Sequence, residues 1–293
     1  MTWSPAGRSV LITGAARGIG AESARQLAAR GARVSLVGLE PEELERVASE
    51  IGESAAWFEA DVTDPDALQA AVDGTVDRFG GIDAVIANAG IATTGMVRAI
   101  DPDAFERTIE INLLGAWRTV RACLPHVLER RGYVLVIASL AAVVHAPGMA
   151  AYSTAKAGIE AFADSLRQEV KHLGTDVGVG YFSWIDTDMV SGGDEHPVFG
   201  NARAKLPGPF RKTYPVSVAG EAIADGMERR RRWVVVPGWV RLLLLTRGFS
   251  FPFFDVGGRQ QTPEMDERFE RDVAERGADA SAPVGAGGRA ARR

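Results

Sequence analysis

The chain has 293 residues, 46% of them apolar and 24% charged, with 33 Lys and Arg against 38 Asp and Glu for a net charge of −5. That composition belongs to a globular protein and excludes wholesale disorder, while the acidic excess counts against a nucleic-acid partner. A single cysteine, Cys123, excludes an intramolecular disulfide, and without an apolar signal segment or an unbroken run of about 18 apolar residues, a cytoplasmic protein with no transmembrane segment is expected.

In chain order, Ser9–Thr13 is a short apolar run stopped by Gly14. Ile19–Arg30 then spaces apolar residues three and four apart, which predicts a helix ending at Gly31. Arg33–Val37 reads as a strand, Pro41–Ile51 as a helix, Ala55–Ala60 as a strand, and Asp64–Phe79 as a helix capped by Asp64 and closed by Gly80. Asp83–Ala87 is the next strand and Pro102–Glu129 a long helix. Tyr133–Ala138 is continuously apolar, as a strand buried on both faces should be. Ala151–Leu173 is helical, Asp176–Phe182 a strand, Ser217–Glu228 a helix and Trp233–Val236 a last strand. This alternation predicts an α/β fold: one doubly wound parallel sheet of about seven strands with helices on both faces.

Two segments resist that pattern. Residues 187–216 are rich in Gly and Pro and lack periodicity, so a substrate lid is expected there. One domain is expected over 1–254, with a C-terminal extension over 255–293 whose Ala, Gly and Arg composition predicts disorder from about 274.

The first strand runs directly into Thr13-Gly14-Ala15-Ala16-Arg17-Gly18-Ile19-Gly20. Gly14 lets the chain turn off the strand, Gly18 allows close approach of a pyrophosphate, and Gly20 allows tight packing of helix on sheet. The helix N-terminus then offers free N–H groups to an anion. Tyr152 and Lys156 are four apart in a helical segment and share a face. A cation beside a phenol, whose ordinary pKa is about 10, is expected to lower it toward working pH. Ser139, at the end of a strand, can hold the same carbonyl oxygen that Tyr152 would protonate.

The order Thr-Gly-x-x-x-Gly-x-Gly, Asp61-Val62, Asn88-Ala89-Gly90, Asn112, Ser139 and Tyr152-x-x-x-Lys156 resembles the short-chain dehydrogenase/reductase (SDR) family, over about Arg8 to Gly238. The resemblance implies a Rossmann-type fold. It also implies an oxidoreductase moving hydride between a nicotinamide cofactor, NAD or NADP, and a small-molecule alcohol or ketone. By that resemblance Asn112, Ser139, Tyr152 and Lys156 are the catalytic residues, Asn112 anchoring a water that links Lys156 to solvent. Gly14, Arg17, Gly18, Ile19, Gly20, Glu40, Asp61, Val62, Asn88, Ala89, Gly90, Ile185 and Thr187, together with Tyr152 and Lys156, would hold the cofactor. The family's Pro-Gly after the sixth strand is here Phe182-Ser183, and the first Asn of its Asn-Asn-Ala-Gly is here Ala87.

Cofactor choice stays open. The second strand ends Gly38-Leu39-Glu40, without the Asp that usually accompanies NAD or the Arg that usually accompanies NADP. Arg17 could meet a 2′-phosphate, and Glu40 could accept a ribose hydroxyl. Met189, Val190, Val198, Phe199, Leu206 and Phe210 in the lid suit an apolar substrate. Asp194-Glu195-His196 reads as a solvated loop, with no metal site expected, and Cys123 as a core residue. The row Ile159, Phe162, Ala163, Leu166 and Val170, with the apolar stretch Trp239–Phe254, points to a homodimer or homotetramer. The alternatives are a non-catalytic dinucleotide-binding protein and a membrane-surface protein using Trp233–Phe254 as an interfacial anchor.

Overall fold

The structure is a computed structural model that describes residues 3–206 and 208–291. The side chains of residues 201–202 and 249–261 lie outside the description, and with them the later part of the apolar stretch Trp239–Phe254.

Chain order is β1 (Ser9–Thr13), α1 (Gly18–Ala29), β2 (Arg33–Gly38), α2 (Pro41–Ile51), β3 (Ala55–Glu59), α3 (Pro65–Phe79), β4 (Ala84–Ala87), α4 (Pro102–Ile109), α5 (Ala116–Glu129), β5 (Tyr133–Ile137), α6 (Ala150–Val170), β6 (Asp176–Phe182), α7 (Asp188–Glu195), α8 (Phe199–Ala204), α9 (Val216–Glu228), β7 (Trp233–Val236), α10 (Val240–Arg276) and α11 (Gly285–Ala290). The strands form one seven-stranded sheet in the order β3-β2-β1-β4-β5-β6-β7, and every pairing is parallel. The expected doubly wound α/β domain is therefore present. The winding reverses between β1 and β4, and ligands bind in the crevice that such a reversal opens at the carboxyl ends of the strands.

Alternation along each strand builds a core on each face. Val10 and Ile12 of β1 face Leu27 of α1 and Ile223 and Met227 of α9. Leu11 points the other way, into a cluster with Val72, Val120, Cys123 and Ile159. Cys123 is fully buried there, and burial pushes its thiol pKa up, so it is a core residue rather than a nucleophile. Helix starts follow their caps. Asp64 accepts from the N–H groups of Asp66 and Ala67 at 2.9 and 3.1 Å, and Asp101 accepts from Asp103 N–H at 2.8 Å.

Four expectations need correction. The long helix over 102–129 is interrupted by a π-helical segment, Glu110–Gly115. Its cause is tertiary: Asn112 turns its amide onto the backbone of Ile91, and a Cβ on Gly115 would sit 2.6 Å from Val62 Cγ2. The row on α6 carries no oligomer argument, because Ile159, Ala163, Leu166 and Val170 are buried in the chain's own core and Phe162 packs half-buried against it. His196 is not in a solvated loop: it is buried, with Nε2 3.1 Å from the Ala280 carbonyl oxygen, and burial lowers its pKa. The tail expected to be disordered from about 274 is ordered. It continues α10, forms a 3₁₀ turn over Gly277–Ser281, and ends in α11. Composition misleads here because Ala280, Ser281 and Ala291 are small enough to bury in a groove that only the folded domain supplies.

The apolar stretch at the start of α10 divides between two environments. Val240 and Leu244 are buried in the core beneath α6, and Trp239 packs edge-on against Phe210 of the lid at 5.0 Å. Leu242 and Leu245 remain exposed. No helix among the described residues is long and apolar enough to cross a membrane.

Candidate active site

At the switch point the glycines do separate jobs. Gly14 has φ +64°, and a Cβ there would lie 2.8 Å from Ala89 Cα. A Cβ on Gly20 would lie 2.2 Å from the Gly14 carbonyl oxygen, so that turn closes only without a side chain. α1 begins at Gly18, and Arg17 before it makes no side-chain cap, which leaves its first N–H groups directed at the cavity. Asn88 ties the end of β4 to this loop. Its Nδ2 donates to the carbonyls of Thr13 and Gly14 at 3.0 and 3.1 Å, and Ala89 N–H donates to Thr13 Oγ1 at 3.3 Å. Ile19, Asn88, Ala89 and Gly90 all line the same cavity. A bare helix terminus behind a glycine cradle fits a pyrophosphate, which is what a dinucleotide site must accommodate.

One end of the cavity lies over Asp61 and Val62. Asp61 accepts from Thr63 N–H at 2.8 Å and from Arg107 at 3.1 Å. Burial alone would raise its carboxyl, but these hydrogen bonds and the Arg107 charge hold it below the ordinary range. Arg17 is already engaged: its Nε donates to Glu40 at 3.0 Å, its Nη2 pairs with the other Glu40 oxygen, and its Nη1 donates to Asp188 at 2.8 Å. The bidentate Glu40 contact, then Asp188, drive the guanidinium pKa further up. The sequence set Arg17 and Glu40 as alternatives; the structure joins them as partners and adds Asp188, which the sequence reading missed.

At the other end Ser139, Tyr152 and Lys156 converge on the cavity wall. Ser139 stands two residues past β5 and caps a 3₁₀ turn, where its Oγ accepts from Ala141 N–H at 3.2 Å and lies 3.4 Å from the Phe182 carbonyl oxygen. Lys156 is buried, its Nζ 5.6 Å from the Tyr152 ring centre and donating to the Ile137 carbonyl at 2.8 Å. Burial lowers its pKa to about 8. The expected lowering of the phenol by Lys156 is not what the protein alone produces. Burial raises the Tyr152 pKa, and the opposing influence is a hydrogen bond with Ser139. Asn112 stands one layer behind: its amide exchanges two 2.8 Å hydrogen bonds with the backbone of Ile91. A Cβ on Gly90 would be 3.1 Å from Asn112 Oδ1 and 3.5 Å from Lys156 Nζ, so Gly90 lies between the two groups.

Residues 8–197 match the family described as short chain dehydrogenase. The chain belongs to the short chain dehydrogenase family. Among its relatives, 11-beta-hydroxysteroid dehydrogenase 1A of Arabidopsis thaliana is 33% identical over 254 residues, covering 82% of this chain and 71% of that protein. Trans-4-hydroxycyclohexanecarboxylate dehydrogenase of Sinomonas cyclohexanicum is 36% identical over 191 residues, covering 62% of this chain and 74% of that protein. Among solved structures, 3-ketoacyl-(acyl-carrier-protein) reductase of Brucella melitensis complexed with NADH superposes with a TM-score of 0.72 at 26% identity, covering 80% of this chain and 98% of that one. This short chain dehydrogenase is accordingly an oxidoreductase of CH–OH or keto groups that works with a nicotinamide cofactor.

The remaining wall of the dehydrogenase's cavity, about 590 Å³ in volume, is mainly apolar. Thr187 Oγ1 donates to the Ile185 carbonyl at 3.2 Å, Ile185 bridges to Tyr214, and Trp184 Nε1 donates to the Phe210 carbonyl at 2.7 Å. Ile185 and Thr187 thus stand at the root of the lid, beside Gly18, where a Cβ would be 3.2 Å from Thr187 Cγ2. The lid is not irregular but carries α7 and α8. Of the lid residues expected at the pocket, Met189, Val190, Phe199, Leu206 and Phe210 line it. Val198 instead packs behind, with Met265 and Phe269 of α10. Sequence reasoning missed Trp184, Met265 and the C-terminal residues Val284, Gly287, Gly288, Ala290 and Ala291, all of which reach the cavity. The Trp184 signal was available, since it directly follows the Phe182-Ser183 departure.

Proposed function

We propose that this enzyme interconverts an apolar secondary alcohol and its ketone, with Tyr152 as acid/base, Ser139 holding the substrate oxygen and Lys156 positioning cofactor ribose and phenol. The observation that carries this reading is the convergence of those three side chains on one cavity whose far end is a glycine cradle under a bare helix terminus. A bound nicotinamide dinucleotide would donate or accept the hydride. In the reducing direction the Tyr152 hydroxyl gives its proton to the nascent alkoxide, and in the oxidising direction the phenolate takes it back. Ser139 donates to the same oxygen and stabilises charge as it develops. Asn112 holds the Ile91 segment and the π turn in register behind Lys156. The apolar wall made by Trp184, Met189, Phe199 and Phe210 excludes water and favours an alicyclic or long-chain substrate. Titration with NADH and NADPH by fluorescence, followed by turnover of a panel of ketones and alcohols, tests the reading. Binding of neither dinucleotide overturns it.

The reading includes a preference for NAD(H). A 2′-phosphate arriving at the end of β2 would meet the Glu40 and Asp188 carboxylates, with Arg17 already neutralised by both. Replacing Glu40→Gln frees part of the Arg17 charge and removes one repelling carboxylate. NADPH affinity relative to NADH is expected to rise about tenfold, each factor of ten being about 1.4 kcal/mol. An unchanged ratio removes Glu40 as the discriminator.

A homodimer or homotetramer is part of the same reading. Its support is the partly exposed pair Leu114 and Trp117, at 37% and 36%, on the surface of the π segment and α5. Light scattering at micromolar concentration is expected to read a dimer or tetramer that Trp117→Glu dissociates. A monomer in both cases overturns it. A cytoplasmic setting suits the one thiol, Cys123, which is buried and asks for no oxidising compartment.

A further inference from the structure

The C-terminal segment crosses the mouth of the cavity from one wall to the other. At the lid side it is locked to α7 by close backbone packing. A Cβ on Gly192 would be 2.5 Å from Gly285 N, and a Cβ on Gly285, itself at φ +78°, would be 2.5 Å from the Asp188 carbonyl oxygen. Val284 N–H donates to the Ala92 carbonyl at 3.0 Å, which pins the crossing to the loop after β4. Gly287 then passes over Arg17, with 3.9 Å between a Cβ built on it and Arg17 Cδ. At the far side Ala291 is 6% exposed in a nest with Val62, Leu68, Ile91 and Ile111, and Arg107 donates to its carbonyl at 3.3 Å. The segment is also held from behind, where Ser281 Oγ accepts from Asp101 N–H at 3.2 Å and His196 Nε2 lies 3.1 Å from the Ala280 carbonyl oxygen.

We propose that Val284–Ala291 is the outer wall of the dinucleotide site and retains the bound cofactor. This rests on the reading above that the glycine cradle and Asp61-Val62 hold a nicotinamide dinucleotide. The segment is a wall rather than a plug over the phosphate cradle, because Gly14, Gly18 and Asp61 beneath it still border the cavity, while Ala291 covers Val62. A dinucleotide lying from the α1 terminus toward Asp61 would have α7 on one side, Ile111 of the π segment on the other and α11 above. Its release then requires the segment to lift, so exchange is gated by a chain motion. The composition suits such a wall. Gly285 allows close approach of the segment's backbone to α7, and a side chain on Gly288 would meet Pro283 within the segment at 2.8 Å.

The experiment compares three chains: full-length, one ended after Ser281, and full-length Gly285→Val, which strains a positive φ and forces the segment off α7. NADH and NADPH are the probes, with Kd from fluorescence titration and release from a stopped-flow chase. Both altered chains are expected to release the better-bound dinucleotide about tenfold faster and bind it about tenfold more weakly, the change lying mainly in the off-rate. Kd and release within about twofold of full-length overturn the proposal, and so does tighter binding, which would mark the segment as a plug. Amide exchange on the unaltered chain decides the matter should either variant misfold. The cofactor is expected to slow exchange across 284–291, and exchange unchanged by saturating cofactor refutes a retaining wall. A full-length chain that binds neither dinucleotide defeats the functional reading and this proposal with it, whereas good binding with no tail effect defeats the proposal alone.

Discussion

Tyr152→Phe is expected to abolish turnover, by about a thousandfold or more, while changing cofactor affinity by less than about twofold. The substitution removes one oxygen and keeps the ring. The ring packs at the cavity wall, 5.6 Å from Lys156 Nζ, so the site should keep its shape. The lost oxygen is the group that exchanges the proton, and Ser139 cannot replace it because a serine hydroxyl is a far weaker acid than a phenol. Steady-state rates and a fluorescence titration on the same preparation check both halves. Turnover within about tenfold of wild type would remove Tyr152 from the chemistry. Because burial raises the phenol while its hydrogen bond with Ser139 opposes that, Ser139→Ala should raise the phenol further. The rate profile of the oxidising direction, which needs phenolate, should then shift to higher pH.

Lys156→Met is expected to remove activity and yet make the protein more stable. An ammonium whose pKa falls from 10.5 to about 8 on burial signals about 3 kcal/mol of unfavourable desolvation while it is charged. The unfolded chain binds the proton more tightly than the folded one. Stability of the wild type therefore rises with pH between about 8 and 10.5 and carries the full penalty below about 8. Methionine fills the same channel without charge. It forfeits the hydrogen bond to the Ile137 carbonyl, worth about 1 kcal/mol, so a net gain of about 2 kcal/mol is expected at neutral pH. Thermal unfolding from pH 7 to 10.5 reads this directly. The wild-type midpoint should climb toward that of the variant, and a variant less stable than wild type at pH 7 would refute the argument. The lysine is thus a cost in folding that the site retains for function.

The sheet could be read from residues because its signals are local. Gly14, Gly31, Gly80 and the Asp64-Pro65 start punctuate alternating periods, and each marks a backbone event that no tertiary context overrides. Ser139, Tyr152 and Lys156 were legible for a related reason: a strand end and one helix face leave little freedom in where they point. Three things were not legible. The π turn at Asn112 depends on Ile91 and Val62, which are distant in sequence. The Arg17–Glu40–Asp188 cluster spans 171 residues, so residue type alone showed two competing roles where geometry makes one group. The tail failed for a third reason. Its Ala, Gly and Arg composition points to disorder, but Ala291 needs only a small nest, and Val62, Leu68, Ile91 and Ile111 provide it.

The sheet order also bears on how the chain comes off the ribosome. Among the described residues, β7, Trp233–Val236, is the last strand to be made and the only strand that pairs with the outer edge of β6. Until it emerges, β6 offers an edge of unpaired backbone N–H and C=O groups along Val179–Phe182. Such an edge is a template for pairing with another nascent copy. No strand pair in this sheet is a hairpin, so every pairing waits on a crossover connection. Slow synthesis, low temperature or a chaperone that shields this edge should therefore improve soluble yield, and any truncation before Trp233 should send the product into aggregates.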